Sequence, residues 1–196
     1  MKIISFEGIE GVGKSTQIEL LKKFLEKNYK SVEVFREPGS TLSGEKIRDI
    51  LLDDQYELSS KTELLLMFSA RSELVNKKIN NSTADYLLLD RFFDASLAYQ
   101  GYGRNLSIEL INKLVDLIDC PIPDLSFLIH ISVEEGFARK INDKIDRIES
   151  SGNDFFNKVR NGYIEIAKNN EDRFIIINGS KTVDEIHNNI IQNIDI

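Results

Sequence analysis

A glycine-rich segment near the N-terminus constrains this 196-residue chain more than any other feature. It reads FEGIEGVGKS from Phe6 to Ser15, after a short apolar run and before a helical pattern. A polyphosphate must approach several backbone N–H groups at once, and glycine removes the side chains that would block it. The spacing from Gly8 to Ser15 matches a phosphate-binding loop. It therefore predicts a binding site for a nucleoside triphosphate.

The residue types within this loop predict distinct roles. Lys14 can reach the outer phosphates, and the Ser15 hydroxyl can ligate Mg²⁺. The helix that begins near Lys14 adds free N–H groups and the positive end of its dipole. A tight turn that binds nothing is disfavoured, because all eight positions and both flanking elements agree with the pattern. The predicted ATP-binding residues are Gly8, Ile9, Glu10, Gly11, Val12, Gly13, Lys14, Ser15 and Thr16.

Apolar runs alternate with helical patterns along the chain, which indicates the fold class. The runs that predict strands are Lys2–Phe6, Val32–Phe35, Tyr86–Leu89, Leu125–Ile131 and Phe174–Ile177. Their short length and β-branched content are typical of strands buried on both faces. We expect one domain over residues 1–196, with an α/β, three-layer P-loop NTPase-like fold. Its five-stranded parallel sheet would carry helices on both faces.

Local signals refine two regions of this fold. Ser60 with Glu63, and Thr182 with Glu185, have the spacing of capping boxes at helix N-termini. The polar stretch from Asn142 to Asp154 predicts a surface segment outside the core.

Composition narrows the classes of partner. A net charge of −7 gives no basic field for nucleic acid or an anionic membrane, so a local cluster of basic residues must capture any anion. No apolar run approaches the ~18 residues of a membrane helix, and the N-terminus lacks a signal-peptide pattern. Cys120 is the single cysteine, which predicts a reducing, cytoplasmic setting. His130, His187 and Cys120 do not have the spacing of a metal motif.

A second group of charged residues follows two predicted strands. Arg36 lies just beyond the second strand, and Asp90 and Arg91 follow the third. Ligands of open α/β sheets gather at the carboxyl ends of strands. Asp90 could hold Mg²⁺ through water, while Arg36 and Arg91 could bind the phosphate of an acceptor. The alternatives are a solvated loop arginine at Arg36 and a local Asp90–Arg91 ion pair.

Four segments together resemble the bacterial thymidylate kinases over most of the chain. They are FEGIEGVGKS at 6–15, REPGST at 36–41, LLDRFFDASLAYQG at 88–101 and DRIES at 146–150. The resemblance implies the reaction ATP + dTMP → ADP + dTDP with Mg²⁺, in the synthesis of dTTP.

The resemblance also implies roles for individual residues. Arg36 and Arg91 would hold the dTMP phosphate, and Glu10 would lie near the deoxyribose 3′-hydroxyl and the metal. Tyr99 would pack beneath the sugar and exclude a 2′-hydroxyl. The implied catalytic residues are Lys14, Arg91, Arg36, Glu10 and Arg147. The implied substrate-binding residues are Arg36, Pro38, Arg48, Leu51, Phe68, Arg71, Arg91, Ser96, Tyr99 and Gln100.

Within that set, Phe68 would stack on thymine and Arg71 would donate to its O4. Phe68 and Arg71 are three residues apart on a predicted helix and share one face. Many family members space this pair by four, so Met67 is the alternative stacking residue. Ala95 replaces a usual serine, for which Ser96 or water would compensate.

The family further implies a small lid, here about residues 140–153, and a homodimer. The phosphate loop of this chain contains no arginine, so basic lid residues would stabilise the transferred phosphoryl group. The candidates are Arg139, Lys140, Lys144 and Arg147, of which we favour Arg147. A solvated charged surface is the alternative. The helices predicted at 60–79, 92–101 and 107–119 could supply the dimer interface or be buried in the core.

Two other functions remain open at this point. One is a kinase for a different nucleoside monophosphate, and the other is a P-loop NTPase switch that controls a partner. No guanine-reading Asn-Lys-x-Asp motif follows the fourth strand, which disfavours a GTPase.

Overall fold

A computed structural model describes residues 1–140 and 145–194. Its sheet has five parallel strands in the order β2-β3-β1-β4-β5. They are β1 Lys2–Glu7, β2 Val32–Arg36, β3 Tyr86–Asp90, β4 Leu125–His130 and β5 Phe174–Asn178. Each predicted strand is found within one residue of its predicted end.

Helices surround this sheet. They are α1 Lys14–Lys27, α2 Leu42–Leu52, α3 Ser60–Lys77, α4 Phe93–Ser96, α5 Ile108–Leu117, α6 Val133–Ala138, α7 Asn153–Lys168 and α8 Val183–Ile191. Helix α4 continues into a π-helix over Leu97–Gly103, and 3₁₀ turns span Ile79–Asn81 and Glu149–Ser151. π-helical turns are rare and occur often at functional sites. The predicted α/β fold is confirmed.

The strand register brings the predicted site residues to one edge of the sheet. Asp90 on β3 lies opposite Phe6 on β1 and opposite Arg36 on β2. Because the strands are parallel, the phosphate loop after β1 and the charged residues after β2 and β3 emerge at the same edge.

Burial differs between central and edge strands. The side chains of β1, β3 and β4 are largely buried, whereas Val34 on β2 is 39% exposed and Ile176 on β5 is 50% exposed. The prediction that all five strands are buried on both faces is therefore wrong for β2 and β5. These strands lie at the two edges of the sheet, where each has a single neighbouring strand.

The two predicted capping boxes have different outcomes. Thr182 and Glu185 form the box at the start of α8. The box at Ser60 is wrong, because Ser59 caps α3 by accepting from the Thr62 N–H. Glu63 instead turns inward, with a side chain only 1% exposed.

The polar stretch before α7 also packs more closely than predicted. Ile148 and Glu149 are buried, which contradicts a segment wholly outside the core. Lys144 and the neighbouring positions 141–143 lie outside the described residues. Within residues 1–140 and 145–194, no helix has the length and apolar character needed to cross a membrane.

Candidate active site

The loop between β1 and α1 has the backbone that its glycines predict. Gly8 has φ +134°, and a Cβ at this position would lie 2.4 Å from the Ile129 carbonyl oxygen. Only glycine fits there, because both the dihedral and the close approach exclude a side chain. Lys14 folds against the loop, where its Nζ donates to Gly8 O at 3.1 Å and Ile9 O at 2.9 Å. Burial lowers the pKa of Lys14 to about 8.

The Ser15 hydroxyl and the Asp90 carboxylate meet at the start of α1. Ser15 Oγ donates to Asp90 Oδ2 at 3.0 Å. Both groups supply the oxygen ligands that Mg²⁺ prefers. In the described part of the chain, no cluster of three or more His, Cys, Asp or Glu is placed to hold a metal ion. A magnesium ion at Ser15 and Asp90 would therefore take further ligands from phosphates and water, which is its usual manner of binding.

Arg91 lies against the phosphate loop and also lines the cleft. Its backbone is left-handed, with φ +69°, directly after β3. Its Nη1 donates to Gly8 O at 2.8 Å, and its Nη2 donates to Glu10 Oε1 at 2.9 Å. The Tyr99 hydroxyl donates to the same Glu10 carboxylate at 2.8 Å. Arg91 thus pairs with Glu10 of the phosphate loop, and the alternative of an Asp90–Arg91 pair is not what the structure contains.

Two further arginines, Arg36 and Arg48, also line the cleft. Arg36 pairs with Glu45 at 2.7 Å, and its side chain is 51% exposed. Arg48 donates to Pro38 O at 2.9 Å. Burial and the positive charge of Arg36 lower the pKa of Arg48. Such a cluster of like charges attracts an anion.

The base-binding residues predicted on α3 are divided between the cleft and the core. Met67 lines the cleft, whereas Phe68 is 4% exposed within the core. Arg71 lies beside the Phe68 ring, with its guanidinium carbon 4.6 Å from the ring centroid. Arg71 also donates to Glu37 Oε2 at 2.7 Å and to Ser96 Oγ at 3.1 Å. Of the two stacking candidates, Met67 therefore lies at the cleft surface.

The lid candidates occupy different positions. Lys140 lines the cleft and forms an ion pair with Glu149. Arg147 instead donates to Glu63 Oε2 at 2.8 Å and to Leu51 O at 2.8 Å. Arg139 pairs with Glu135 at the surface. Lys144, the remaining candidate, lies outside the described residues.

These groups surround one cleft with a volume of about 380 Å³. The predicted residues that line it are Glu10, Gly11, Lys14, Ser15, Arg36, Pro38, Arg48, Arg71, Asp90, Arg91, Ser96, Tyr99 and Gln100. The predicted residues that do not are Gly8, Ile9, Val12, Gly13, Thr16, Leu51, Phe68 and Arg147. Leu51 is fully buried and its neighbour Leu52 lines the cleft, because successive helical residues face different directions.

Four residues of the site were missed by sequence reasoning: Glu7, Glu37, Glu63 and Tyr163. Glu7 accepts from Phe92 N at 2.9 Å and from the Tyr163 hydroxyl at 3.0 Å. Tyr163 in turn accepts from Arg91 Nη1 at 3.1 Å. An acidic residue inside an apolar strand was an available signal for Glu7, because a buried charge needs partners. Tyr163 has no comparable signal.

Known proteins resemble this chain over nearly its whole length. A family model described as thymidylate kinase matches residues 6–190. The chain belongs to the thymidylate kinase family. A thymidylate kinase of Kosmotoga olearia is 42% identical over 193 residues, covering 96% of this chain and 93% of the relative. One of Chlorobaculum tepidum is 39% identical over 206 residues, covering 98% and 96%.

A solved structure extends this similarity to three dimensions. The thymidylate kinase of Ehrlichia chaffeensis superimposes with a TM-score of 0.80 at 34% identity, covering 97% of this chain and 96% of that one. The resemblance and fold predicted from the sequence are thus confirmed. Membership of the thymidylate kinase family makes the chain an ATP-dependent kinase, and the alternative of an NTPase switch is not favoured.

Proposed function

We propose that this chain transfers the γ-phosphoryl group of ATP to dTMP, forming ADP and dTDP. The observation that carries the proposal is the convergence of two kinds of anion-binding group on one cleft. Lys14 of the phosphate loop lines this cleft together with Arg36 and Arg91. Phosphoryl transfer depends chiefly on alignment and charge neutralisation, which this arrangement supplies.

In the transfer itself, an oxygen of the dTMP phosphate forms a bond to the γ-phosphorus as the bond to the β,γ-bridging oxygen breaks. The loop N–H groups and Lys14 hold the donor, and Arg91 holds the acceptor phosphate in line. Ser15 and Asp90 would hold Mg²⁺, which neutralises phosphate charge when bound. Glu10 fixes Arg91 through the 2.9 Å contact and lies within reach of the acceptor sugar.

The remaining substrate contacts follow from the walls of the cleft. Tyr99 packs beneath the deoxyribose and leaves no room for a 2′-hydroxyl, which favours deoxynucleotides. Arg71 donates to thymine O4, while Pro38 and Arg48 close the pocket. Ser96 holds Arg71 and offsets the loss of a hydroxyl at Ala95. Met67, at the cleft surface, packs on the base, with Phe68 behind it in the core.

The organisation of the chain forms the second part of this proposal. Residues 1–196 form one nucleoside monophosphate kinase domain with a lid over about 140–153. Arg147, the lid arginine of this proposal, would leave its contacts with Glu63 and Leu51 to reach the transferred phosphoryl group. The protein is a cytoplasmic homodimer that acts in dTDP and dTTP synthesis. Sedimentation of the purified protein tests the dimer, and a monomeric mass at micromolar concentration would contradict it.

A coupled assay of ADP release tests the reaction. The acceptors are dTMP, dUMP, UMP, CMP, AMP and GMP, each at the same concentration with ATP and Mg²⁺. We expect the highest kcat/KM with dTMP. A strong preference for UMP or AMP would assign the chain to another nucleoside monophosphate, and ADP release without any acceptor would favour a switch.

A further inference from the structure

Glu63 on α3 is a buried carboxylate that accepts hydrogen bonds from two other segments of the chain. Its Oε1 accepts from Gln100 Nε2 at 3.0 Å, and its Oε2 accepts from Arg147 Nη2 at 2.8 Å. Arg104 donates to both oxygens, at 3.3 and 3.2 Å. The π-helix that contains Gln100 and the segment that contains Arg147 are therefore fixed by one side chain.

The ionisation state of the Glu63 carboxylate decides which end of the Gln100 amide faces it. Burial by itself disfavours its charge, but hydrogen bonds from Gln100 and Arg104 hold the pKa of Glu63 below its ordinary value. An ionised carboxylate only accepts hydrogen bonds. The NH₂ end of Gln100 must therefore face Glu63, which turns the carbonyl oxygen away from it. Within the described residues, no group donates a hydrogen bond to Gln100 Oε1.

Gln100 and Arg71 line the same cleft and differ in chemistry. A guanidinium only donates hydrogen bonds, whereas the fixed Gln100 amide offers an acceptor. A base edge that carries a carbonyl oxygen beside an N–H matches this pair. Thymine has that edge in its O4 and N3–H. Cytosine carries an amino donor and an unprotonated N3 there, and would place donor against donor and acceptor against acceptor.

From this geometry we infer that Glu63 is a specificity-determining positioning residue, which acts through Gln100 to select a thymine-like edge over a cytosine-like edge. The inference rests on the proposed function and deepens it. Glu63 does not touch the substrate. Its effect comes from holding the Gln100 amide in one orientation. Without Glu63 the amide could turn by 180° and present its NH₂ group to the base in place of its oxygen, because the two ends of the amide have nearly the same shape.

The experiment compares kcat/KM for dTMP with kcat/KM for dCMP. In Glu63→Gln the new amide can either donate to or accept from Gln100, so Gln100 can rotate. We expect the dTMP/dCMP ratio to fall about tenfold or more, the scale of one hydrogen bond exchanged for a mismatch. Glu73→Gln makes the same change at a partly exposed position of α3 outside the cleft, and should leave the ratio unchanged.

A double-mutant cycle shows whether Glu63 acts through Gln100. In a Gln100→Ala background, Glu63→Gln should change the ratio no further. An equal fall in both backgrounds would overturn the inference, as would an unchanged ratio in folded Glu63→Gln.

A second variant covers the case in which Glu63→Gln does not fold. Glu63→Asp keeps the charge but withdraws the carboxylate from Gln100. An unchanged dTMP/dCMP ratio in that variant would equally overturn the inference. A wild-type chain without activity on dTMP would overturn the proposed function and this inference with it. Wild-type activity with a ratio insensitive to Glu63 would overturn this inference alone.

Discussion

Gly11 in the phosphate loop and Gly136 in α6 are in direct backbone contact. A Cβ on Gly11 would lie 2.0 Å from the Gly136 carbonyl oxygen, and a Cβ on Gly136 would lie 2.6 Å from the Glu10 carbonyl oxygen. Helix α6 ends at Ala138, just before the proposed lid. The contact therefore makes the position of the phosphate loop depend on the helix that leads into the lid.

Substitution Gly136→Ala tests this contact. The added methyl group must displace the loop, the helix or both, so we expect the KM for ATP to rise about tenfold or more. The free energy of unfolding should fall by about 1–3 kcal/mol. Gly103→Ala is the control, because its Cβ would crowd Phe155 at 2.6 Å and Val159 at 2.9 Å, neither of which belongs to the phosphate loop. It should lower stability and leave the KM for ATP unchanged, and an unchanged KM in Gly136→Ala would refute the dependence.

Tyr99→Ala should weaken the preference for deoxyribose. The Tyr99 ring packs against Phe155, Phe156 and Tyr163, so its loss opens space beneath the sugar and costs about 3–5 kcal/mol of stability. We expect the ratio of kcat/KM for dUMP to that for UMP to fall. Tyr99→Phe keeps the ring and loses only the bond to Glu10, so it should retain the ratio. Equal ratios in wild type and Tyr99→Ala would remove the proposed role.

Arg91→Lys should cost more activity than Arg36→Lys. Arg91 uses its planar fork to contact Gly8, Glu10 and Tyr163, and a lysine cannot reproduce that geometry. Arg36 is half-exposed with Glu45 as its carboxylate partner. We expect kcat/KM for dTMP to fall about 10²-fold or more for Arg91→Lys and about tenfold for Arg36→Lys. Near-native activity of Arg91→Lys would contradict the phosphate clamp.

Arg147→Ala distinguishes a role of Arg147 in catalysis from a role in stabilising the fold. As the proposed lid arginine, its loss should lower kcat about 10³-fold, by analogy with arginine fingers. It should also lower the free energy of unfolding by about 2 kcal/mol, because Arg147 donates to the buried Glu63 carboxylate. Arg139→Ala, which removes an ion pair at the surface, should change stability little. If kcat is unchanged while stability falls, Arg147 is only an anchor.

Glu7→Gln should alter the pH dependence of stability. Burial, followed by the nearby Asp94 charge, raises the pKa of Glu7 from 4.5 to about 8 in the folded state. Between these values the folded state binds more protons than the unfolded state, so the free energy of unfolding decreases as pH rises from about 4.5 to about 8. Glutamine cannot titrate, so the Glu7 part of this decrease should be missing in urea unfolding measured from pH 5 to 8. The part that comes from Glu37, Asp94 and Asp146, whose pKa values are also raised, should remain. Glu19→Gln, at an exposed position on α1, should retain the whole decrease.

Local sequence signals predicted much of the site because they coincide with elements of the sheet. The phosphate loop follows β1, and Arg36 and Asp90 end β2 and β3, so the rule that ligands gather at carboxyl ends placed them together. The same reasoning could not separate Met67 from Phe68. Both are apolar residues of α3, and helical spacing alone does not show which one faces the cleft.

Some sequence patterns were consistent with more than one structural role for the same residue. Glu63 follows Ser60 at capping-box spacing, yet its carboxylate is engaged by Gln100, Arg104 and Arg147. Either Ser59 or Ser60 could cap the N-terminus of α3 with a similar free energy. Four charge-assisted hydrogen bonds on a buried carboxylate outweigh that choice.

The phosphate loop, the alternation of strands and helices, and the family could all be predicted from the residues alone. These depend on spacing within short segments, where backbone geometry fixes which residues are neighbours. Which side chains hold the functional arginines depends on contacts that form only in the folded chain. Glu7 and Tyr163 are 156 positions apart, and Glu63 and Arg147 are 84 apart. No local period relates such residues, because their contact exists only after the sheet has brought distant segments together.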